Sequence, residues 1–299
     1  MSRQFIAAVA IIAIGAPAIA QSGKEALVLK PTSAWHVDYA DDRCRLAREF
    51  GAGEEQVYLF MDRYGPDEYF RLTIAGKPLK TSIEKAEATL QFGPDEQEQQ
   101  LYFLNGNLGK MPALLFANRA RISAPNEAER AALRNVDEST WINAAPISEA
   151  RQKAVKFLKI GKPLRRATTL ETGSMRGPFA ALDKCVVNLM TTWGIDTEKH
   201  KALKSKVKPQ QSPGRWVVST DYPLDMLRSG QSAIVEFRLS VGADGKPTAC
   251  HIQSTTRPKE FDDAVCKSVM RRARFDPALD ATGKPLASFY RNTVRFQIP

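Results

Sequence analysis

The sequence contains four cysteines, whose side chains could form covalent cross-links: Cys44, Cys185, Cys250 and Cys266. An even number of cysteines in an exported protein indicates structural disulfides. Four cysteines allow three pairings, and free buried thiols are the alternative. Which of these applies depends on whether the chain is exported and on which elements carry each cysteine.

The amino terminus predicts export. Residues 1–20 contain Arg3, a short apolar stretch that begins at Phe5, and the ending Ala18-Ile19-Ala20. This arrangement is typical of a secretory signal peptide, so we expect cleavage between Ala20 and Gln21. An uncleaved membrane anchor is the alternative, but the apolar stretch is shorter than the roughly 20 residues that a spanning helix needs.

The remaining reactive side chains do not form an enzyme motif. The short motifs of hydrolases, metalloproteases and nucleotide-binding enzymes are absent from the sequence, so we predict no enzymatic activity and no cofactor. Ser174 lies in a Gly-Ser segment and is better placed to cap the following helix than to act as a nucleophile.

The histidines and cysteines do not form a metal site. Consecutive strand residues point to opposite faces, so Cys250 and His251 could not easily hold one ion. His36 and His200 have no companion at ligand spacing, and we predict no metal site.

The clearest pattern of elements lies in residues 222–298. Alternating apolar residues predict three strands, and apolar residues at helical spacing predict one helix. The predicted strands are 233–241, 247–254 and 290–298, and the predicted helix is 260–274. A Gly-Ala-Asp-Gly turn at 242–245 joins the first two strands into a β-hairpin. The order is therefore ββαβ, and Glu236, Arg238 and Ser240 of the first strand are expected to face water.

These elements carry residues that resemble the C-terminal domain of the TonB family. The matching segments are Tyr222-Pro223, Val235-x-Phe237-x-Leu239, Gly242-x-Asp244-Gly245-Lys246, Phe261-Asp262-x-Ala264, Arg274-Phe275-x-Pro277-Ala278, Gly283-x-Pro285 and Val294-x-Phe296. The resemblance implies a TonB-like fold and a periplasmic protein. Because these Gly, Pro and apolar residues are also structural, the resemblance supports the fold more strongly than the activity.

The predicted binding site is the edge of the last strand. An unpaired sheet edge accepts an extended segment of another protein as an added strand. In the TonB family, the resemblance implies, this segment is a short peptide near the amino terminus of an outer-membrane receptor. The predicted partner-binding residues are Phe289, Tyr290, Arg291, Asn292, Thr293, Val294 and Arg295. Arg291, Thr293 and Arg295 are expected on an exposed face, where they either suit an acidic or polar partner or only protect the edge.

Residues 21–200 are predicted to form a separate β-rich domain. Short strand-like runs, divided by Gly, Pro and Asn turns, predict an antiparallel β-sandwich-like domain, with flanking helices at 126–135 and 178–190. The runs are 35–39, 57–63, 69–75, 88–92, 101–104, 155–160 and 167–171. The whole chain is therefore predicted to be α+β. Residues 201–214 are expected to be a basic, Pro-containing linker, followed by the TonB-like domain at 215–299.

The predicted elements favour one pairing of the cysteines. Cys250 lies in the second carboxyl-terminal strand and Cys266 in the helix that follows, so a bridge between them would fix helix to sheet. Cys44 and Cys185 would join the two ends of the amino-terminal domain. We therefore favour Cys44–Cys185 and Cys250–Cys266.

Two functional hypotheses follow. The first is a periplasmic TonB-like protein that binds an extended segment of an envelope or outer-membrane transport protein, with a role in TonB-dependent transport. The alternative is a soluble periplasmic scaffold that associates with itself, for example as a homodimer, without energy transduction. The TonB family uses a Pro-rich spacer and a proton-sensing anchor to transmit force, as the resemblance implies. The sequence has no such spacer, and its apolar amino-terminal stretch has no proton-sensing residue, so both observations weigh against energy transduction.

The net charge of +10 favours binding to polyanionic surfaces. Because an exported protein meets no genomic nucleic acid, we predict that nucleic acid is not a partner. We make no prediction about membrane association.

Overall fold

The short apolar runs of the amino-terminal half fold into one large sheet. The computed structural model describes residues 25–83, 85–124, 127, 131, 146–256 and 258–298. The expected signal peptide lies outside these residues, and so does the expected helix at 126–135, apart from residues 127 and 131. Strands and helices both contribute to the fold, which confirms the α+β class. Within the described part of the chain, no helix combines the length and apolar character needed to cross a membrane.

The amino-terminal half contains ten strands and three α-helices with bounds among the described residues. The strands are β1 (Leu27–Leu29), β2 (His36–Tyr39), β3 (Cys44–Phe50), β4 (Val57–Arg63), β5 (Phe70–Gly76), β6 (Lys85–Phe92), β7 (Gln99–Leu108), β8 (Met111–Ala120), β9 (Leu158–Ile160) and β10 (Thr168–Leu170). The helices are α1 (Glu149–Ala154), α2 (Arg176–Thr192) and α3 (Thr197–Lys201).

These ten strands lie in one sheet, in the order β1-β10-β9-β6-β7-β8-β5-β4-β3-β2. The β1–β10 pair is parallel and the other neighbours are antiparallel. The unit predicted to be sandwich-like is therefore built from a single continuous sheet. An additional bridge between Pro31 and Phe50 brings the chain after β1 back to β3, so the sheet curls toward closure.

The core of this half lies between the sheet and α2. Phe179, Leu182, Val186 and Leu189 are buried, and their spacing of three and four residues places them on one face of α2. A disulfide between Cys44 of β3 and Cys185 of α2 fixes the helix to the sheet, in the pairing favoured from the sequence.

The carboxyl-terminal half has the predicted ββαβ order with short additions. Its strands are β11 (Lys208–Pro209), β12 (Ala233–Val241), β13 (Pro247–Thr255), β14 (Phe275–Asp276), β15 (Ala278–Leu279), β16 (Pro285–Leu286) and β17 (Ser288–Phe296). Its helices are α4 (Leu224–Arg228) and α5 (Lys259–Arg272). The main sheet has the antiparallel order β13-β12-β17.

A second hydrophobic cluster joins this sheet to α5. Phe261, Val265 and Val269 of the helix are buried together with Phe237 and Leu239 of β12. The second disulfide, between Cys250 of β13 and Cys266 of α5, fixes the same helix to the sheet. Each half therefore has its own core and its own cross-link, and the boundaries of the predicted domains remain predictions.

The segment between the two cores is attached to the carboxyl-terminal half. The amide of Lys204 donates to the carbonyl of Leu279 at 2.9 Å, and the amide of Gln210 donates to the carbonyl of Arg274 at 2.9 Å. Between these two contacts, β11 pairs with β14. The basic part of the expected linker is thus held in a defined position.

Candidate functional site

The predicted site, β17, lies at one edge of the three-stranded sheet. One side of β17 pairs with β12 in an uninterrupted register from Ser288 to Phe296. No strand of the described chain pairs with its other side. The opposite edge strand, β13, has two irregularities in its register with β12, and such bulges discourage the addition of another strand. Of the two edges, β17 is therefore the one better suited to strand addition.

Hydrogen bonding identifies the backbone groups that point outward from β17. The amide of Thr293 donates to the side-chain oxygen of Asn292 at 2.6 Å, and so does not donate to β12. In an antiparallel strand, successive residues direct their backbone groups to opposite sides. The amides of Thr293 and Arg295 therefore point toward the free edge, while that of Val294 points toward β12. Asn292 shields one of the outward amides.

One face of the sheet, opposite to α5, packs against the amino-terminal half. Glu236, Arg238 and Arg291 project from this face and are only 6%, 3% and 6% exposed. The prediction that the first two face water is wrong, and so is the prediction that Arg291 lies on an exposed face. The alternation of the strands correctly placed these residues on one face, but this face is covered by the other half of the chain.

The centre of this interface is an ion pair between Arg291 and Asp67. The guanidinium of Arg291 donates to Asp67 at 3.0 Å and to the side-chain oxygen of Gln253 at 2.8 Å. Burial raises the pKa of Asp67, and the positive charge of Arg291 opposes this rise. Burial likewise lowers the pKa of Arg291, against the attraction of Asp67.

Other polar contacts extend the interface on both sides of this pair. Arg71 of β5 forms an ion pair with Glu236 and donates to the hydroxyl of Ser254 at 2.9 Å. The guanidinium of Arg238 lies 4.1 Å from the ring centroid of Trp193, at the end of α2. The interface is therefore dominated by charged groups with defined partners, as buried charges require.

The comparison with protein families agrees with this architecture. Residues 218–298 match the family described as Gram-negative bacterial TonB protein C-terminal. This region is a TonB C-terminal domain. Domains of this family are non-catalytic and take part in protein–protein interactions of the cell envelope. No curated protein matches the chain. The prediction that the rest of the chain has no enzymatic activity stays a prediction.

The first half of β17 in the TonB C-terminal domain is occupied by intramolecular contacts. The ring of Phe289 lies 5.4 Å from that of Trp193 and stacks on that of His200 at 5.2 Å. Tyr290 packs against Trp216 at 5.5 Å between ring centroids. Burial, together with the nearby charge of Lys206, lowers the pKa of His200 to about 4.

The second half of β17 is more accessible. Thr293 and Val294 are partly exposed and Arg295 is exposed. Of the seven predicted partner-binding residues, Phe289, Tyr290 and Arg291 contact other parts of the chain, and Asn292 is buried. Thr293, Val294 and Arg295 lie at the more accessible end of the strand. No local pattern in the sequence indicates this division, because Phe289 and Arg291 contact residues of the other half of the chain and Tyr290 contacts Trp216, which is distant in sequence.

Proposed function

We propose that this protein binds an extended segment of an envelope protein, which adds as a fourth strand along β17 at residues 292–296. The observation that carries this proposal is the free, regular edge of β17 in a TonB C-terminal domain, with the amides of Thr293 and Arg295 directed outward. Backbone hydrogen bonds would provide affinity, and alternate side chains of the added segment would provide specificity.

The proposed partner is a segment near the amino terminus of an outer-membrane transport protein, and the proposed location is the periplasm. The family match supports an envelope partner, and the two disulfides suit an oxidising compartment. Because the polar face of the sheet is covered by the amino-terminal half, the guest would approach through the strand edge. For it to pair with the amide of Thr293, the side chain of Asn292 would have to move aside.

The test uses the exported full chain and synthetic peptides that cover the amino-terminal segments of outer-membrane transport proteins of the same organism. Thr293→Pro removes an outward donor while leaving the pairing with β12 intact, because proline is tolerated where an edge amide faces solvent. Thr293→Val is the matched control, since it keeps the amide. We expect Thr293→Pro to weaken peptide binding by at least about tenfold and Thr293→Val to bind like the natural chain.

Amide hydrogen exchange provides the direct readout. A bound peptide should slow the exchange of the Thr293 and Arg295 amides relative to the free protein. Peptide binding that leaves both amides unprotected would contradict the proposed site, as would full binding by a folded Thr293→Pro variant. Dimers that dissociate on Thr293→Pro substitution, in the absence of any peptide binding, would instead favour the self-associating scaffold.

A further inference from the structure

The two disulfides differ in how deeply they lie in the protein. Cys44 and Cys185 are 0% and 1% exposed and belong to the hydrophobic cluster of the amino-terminal half. Cys250 and Cys266 are both partly exposed. Thiol–disulfide exchange requires a thiolate to reach a sulfur atom, so an accessible disulfide reacts faster than a covered one. The two cross-links therefore differ in the access that they give to a reductant.

The position of the second disulfide explains its accessibility. Among the described residues, β12 is the only strand that pairs with β13, so Cys250 lies on an edge strand. In α5, the residue after Cys266 is Lys267, which is exposed, and so is Asp263, almost one turn earlier. Cys250 packs against the hydrophobic cluster beneath the helix. The sulfur of Cys266 is therefore the one that a reagent from solvent reaches first.

The cross-linked helix also contacts the carboxyl end of β17. The ring of Phe261, in the first turn of α5, lies 4.9 Å from the ring of Phe296, the last residue of β17. Tyr222 contacts both rings, at 5.7 Å from Phe261 and 5.2 Å from Phe296. The disulfide that fixes α5 to β13 therefore stabilises a helix on which the end of β17 is packed.

We propose that the Cys250–Cys266 disulfide is a thiol–disulfide exchange site, which a dithiol reductant opens in the folded protein, and that its opening loosens α5 from the sheet. The Cys44–Cys185 disulfide, in contrast, is a permanent cross-link that the same reductant does not reach. The inference does not depend on strand addition at β17, because it concerns the other edge of the sheet and the helix that covers it.

The exchange takes place in two steps. A thiolate of the reductant attacks the Sγ of Cys266, the bond between the two cysteines breaks, and its electron pair leaves with the Sγ of Cys250, which takes up a proton. The second thiol of the reductant then displaces the Sγ of Cys266 and closes a disulfide within the reductant. The protein gains two electrons and two protons, and the dithiol is oxidised to a disulfide.

The test treats the folded full chain with dithiothreitol, alkylates the free thiols with N-ethylmaleimide at successive times, and identifies the modified cysteines by peptide mass mapping. We expect Cys250–Cys266 to be reduced at least about tenfold faster than Cys44–Cys185, at a rate proportional to the dithiol concentration. Equal rates, or faster reduction of Cys44–Cys185, would overturn the inference. A rate that levels off at the rate of global unfolding would also overturn it, because the attack would then require the unfolded chain.

The unfolded protein is the first control. In urea the two disulfides should be reduced at similar rates, because the fold no longer covers either of them. A difference that persists unchanged in urea would overturn the inference, since burial would then not be its cause.

Two lysine variants provide a matched control. Lys267 and Lys184 are both exposed, and each is adjacent in sequence to a cysteine of a helix, Cys266 and Cys185 respectively. Lys267→Glu should slow the reduction of Cys250–Cys266 by about twofold to fivefold at low salt, because an acidic side chain repels the attacking thiolate. Lys184→Glu should leave both rates unchanged. Equal slowing of Cys250–Cys266 by the two variants would contradict attack at the surface of α5.

Amide hydrogen exchange tests the effect on the helix. After selective reduction of Cys250–Cys266, the amides of α5 should exchange at least about tenfold faster, while those of α2 should keep their rates. Unchanged exchange in α5 would overturn the inference that this disulfide controls how firmly the helix is held.

Discussion

The guanidinium of Arg291 and the carboxylate of Asp67 form an ion pair of 3.0 Å that joins the two halves of the protein. Their side chains are only 5% and 13% exposed. Replacing Arg291 by alanine would remove the hydrogen-bonded ion-pair partner of the buried carboxylate of Asp67. We expect the free energy of unfolding to fall by roughly 3–5 kcal/mol, as measured by urea denaturation.

A solvent-exposed pair serves as the control for this prediction. Lys259 and Asp263 form an ion pair on the surface of α5, and Lys259→Ala should leave the urea midpoint nearly unchanged. The double variant Arg291→Met with Asp67→Leu should lose less stability than Arg291→Ala, because neither charge is then left unpaired. Additive losses in the double variant would show that the two residues are not coupled.

The stability of the interface should decrease in acid through His200. Its pKa in the folded protein is lowered to about 4 by burial and by the charge of Lys206. The unfolded chain therefore binds this proton more tightly, so the stabilising contribution is complete above about pH 6.5 and declines from there toward pH 4. His200→Phe keeps the ring stack on Phe289 and removes the titration. The free energy of unfolding of His200→Phe, relative to that of the natural protein, should therefore increase as the pH falls from 7 to 4.5.

Unfolding curves at a series of pH values check this prediction. The raised pKa of Asp67 acts in the opposite direction, but both proteins contain this residue, so the comparison isolates His200. Parallel pH profiles for the natural protein and His200→Phe would refute the assignment.

The two disulfides should contribute unequally to stability. In the chain-entropy account, a cross-link stabilises more when it closes a longer loop. The sequence separation is 141 for Cys44–Cys185 and 16 for Cys250–Cys266. Paired serine substitutions should therefore cost about 5 and about 3 kcal/mol, respectively, in denaturant unfolding. A larger loss from the Cys250–Cys266 pair would contradict this order.

The turn between β12 and β13 should not tolerate a side chain at Gly245. This glycine has a φ of 74°, and an added Cβ would lie 2.0 Å from the carbonyl oxygen of Phe275. Gly245→Ala should destabilise the protein by about 3 kcal/mol or more in thermal or urea unfolding. Gly230 has a similar φ of 68° with open space around it. Gly230→Ala therefore isolates the backbone cost of about 1–2 kcal/mol, and equal effects at the two positions would disprove the proposed clash.

Local pattern predicted the TonB C-terminal domain well. Its hairpin, helix and last strand follow from alternating and helical spacing, because each element buries one apolar face in the same small core. In the amino-terminal half, three strands were not predicted: β1, β3 and β8. The charged residues of β3 obscure its strand pattern, and Arg45 is accommodated by an ion pair with Asp62 on the neighbouring strand.

The covered face of the carboxyl-terminal sheet shows a second feature that sequence patterns could not predict. Spacing placed Glu236 and Arg238 on the same side of β12, but could not show that Arg71 and Trp193 pack against that side. These contacts join residues more than 40 positions apart, so no local pattern in the sequence encodes them. The open part of β17 could be located only once the covered part was known.

The charged face of this sheet also affects how the protein should be dissected. Excising residues 215–299 would hydrate Glu236, Arg238 and Arg291, which the intact protein keeps only 6%, 3% and 6% exposed. The fragment would therefore expose a charged surface that the intact protein covers. Ligands captured with the fragment would include molecules that bind only this newly exposed face. Binding screens with the truncated protein would then detect partners for a larger binding surface than the intact protein exposes.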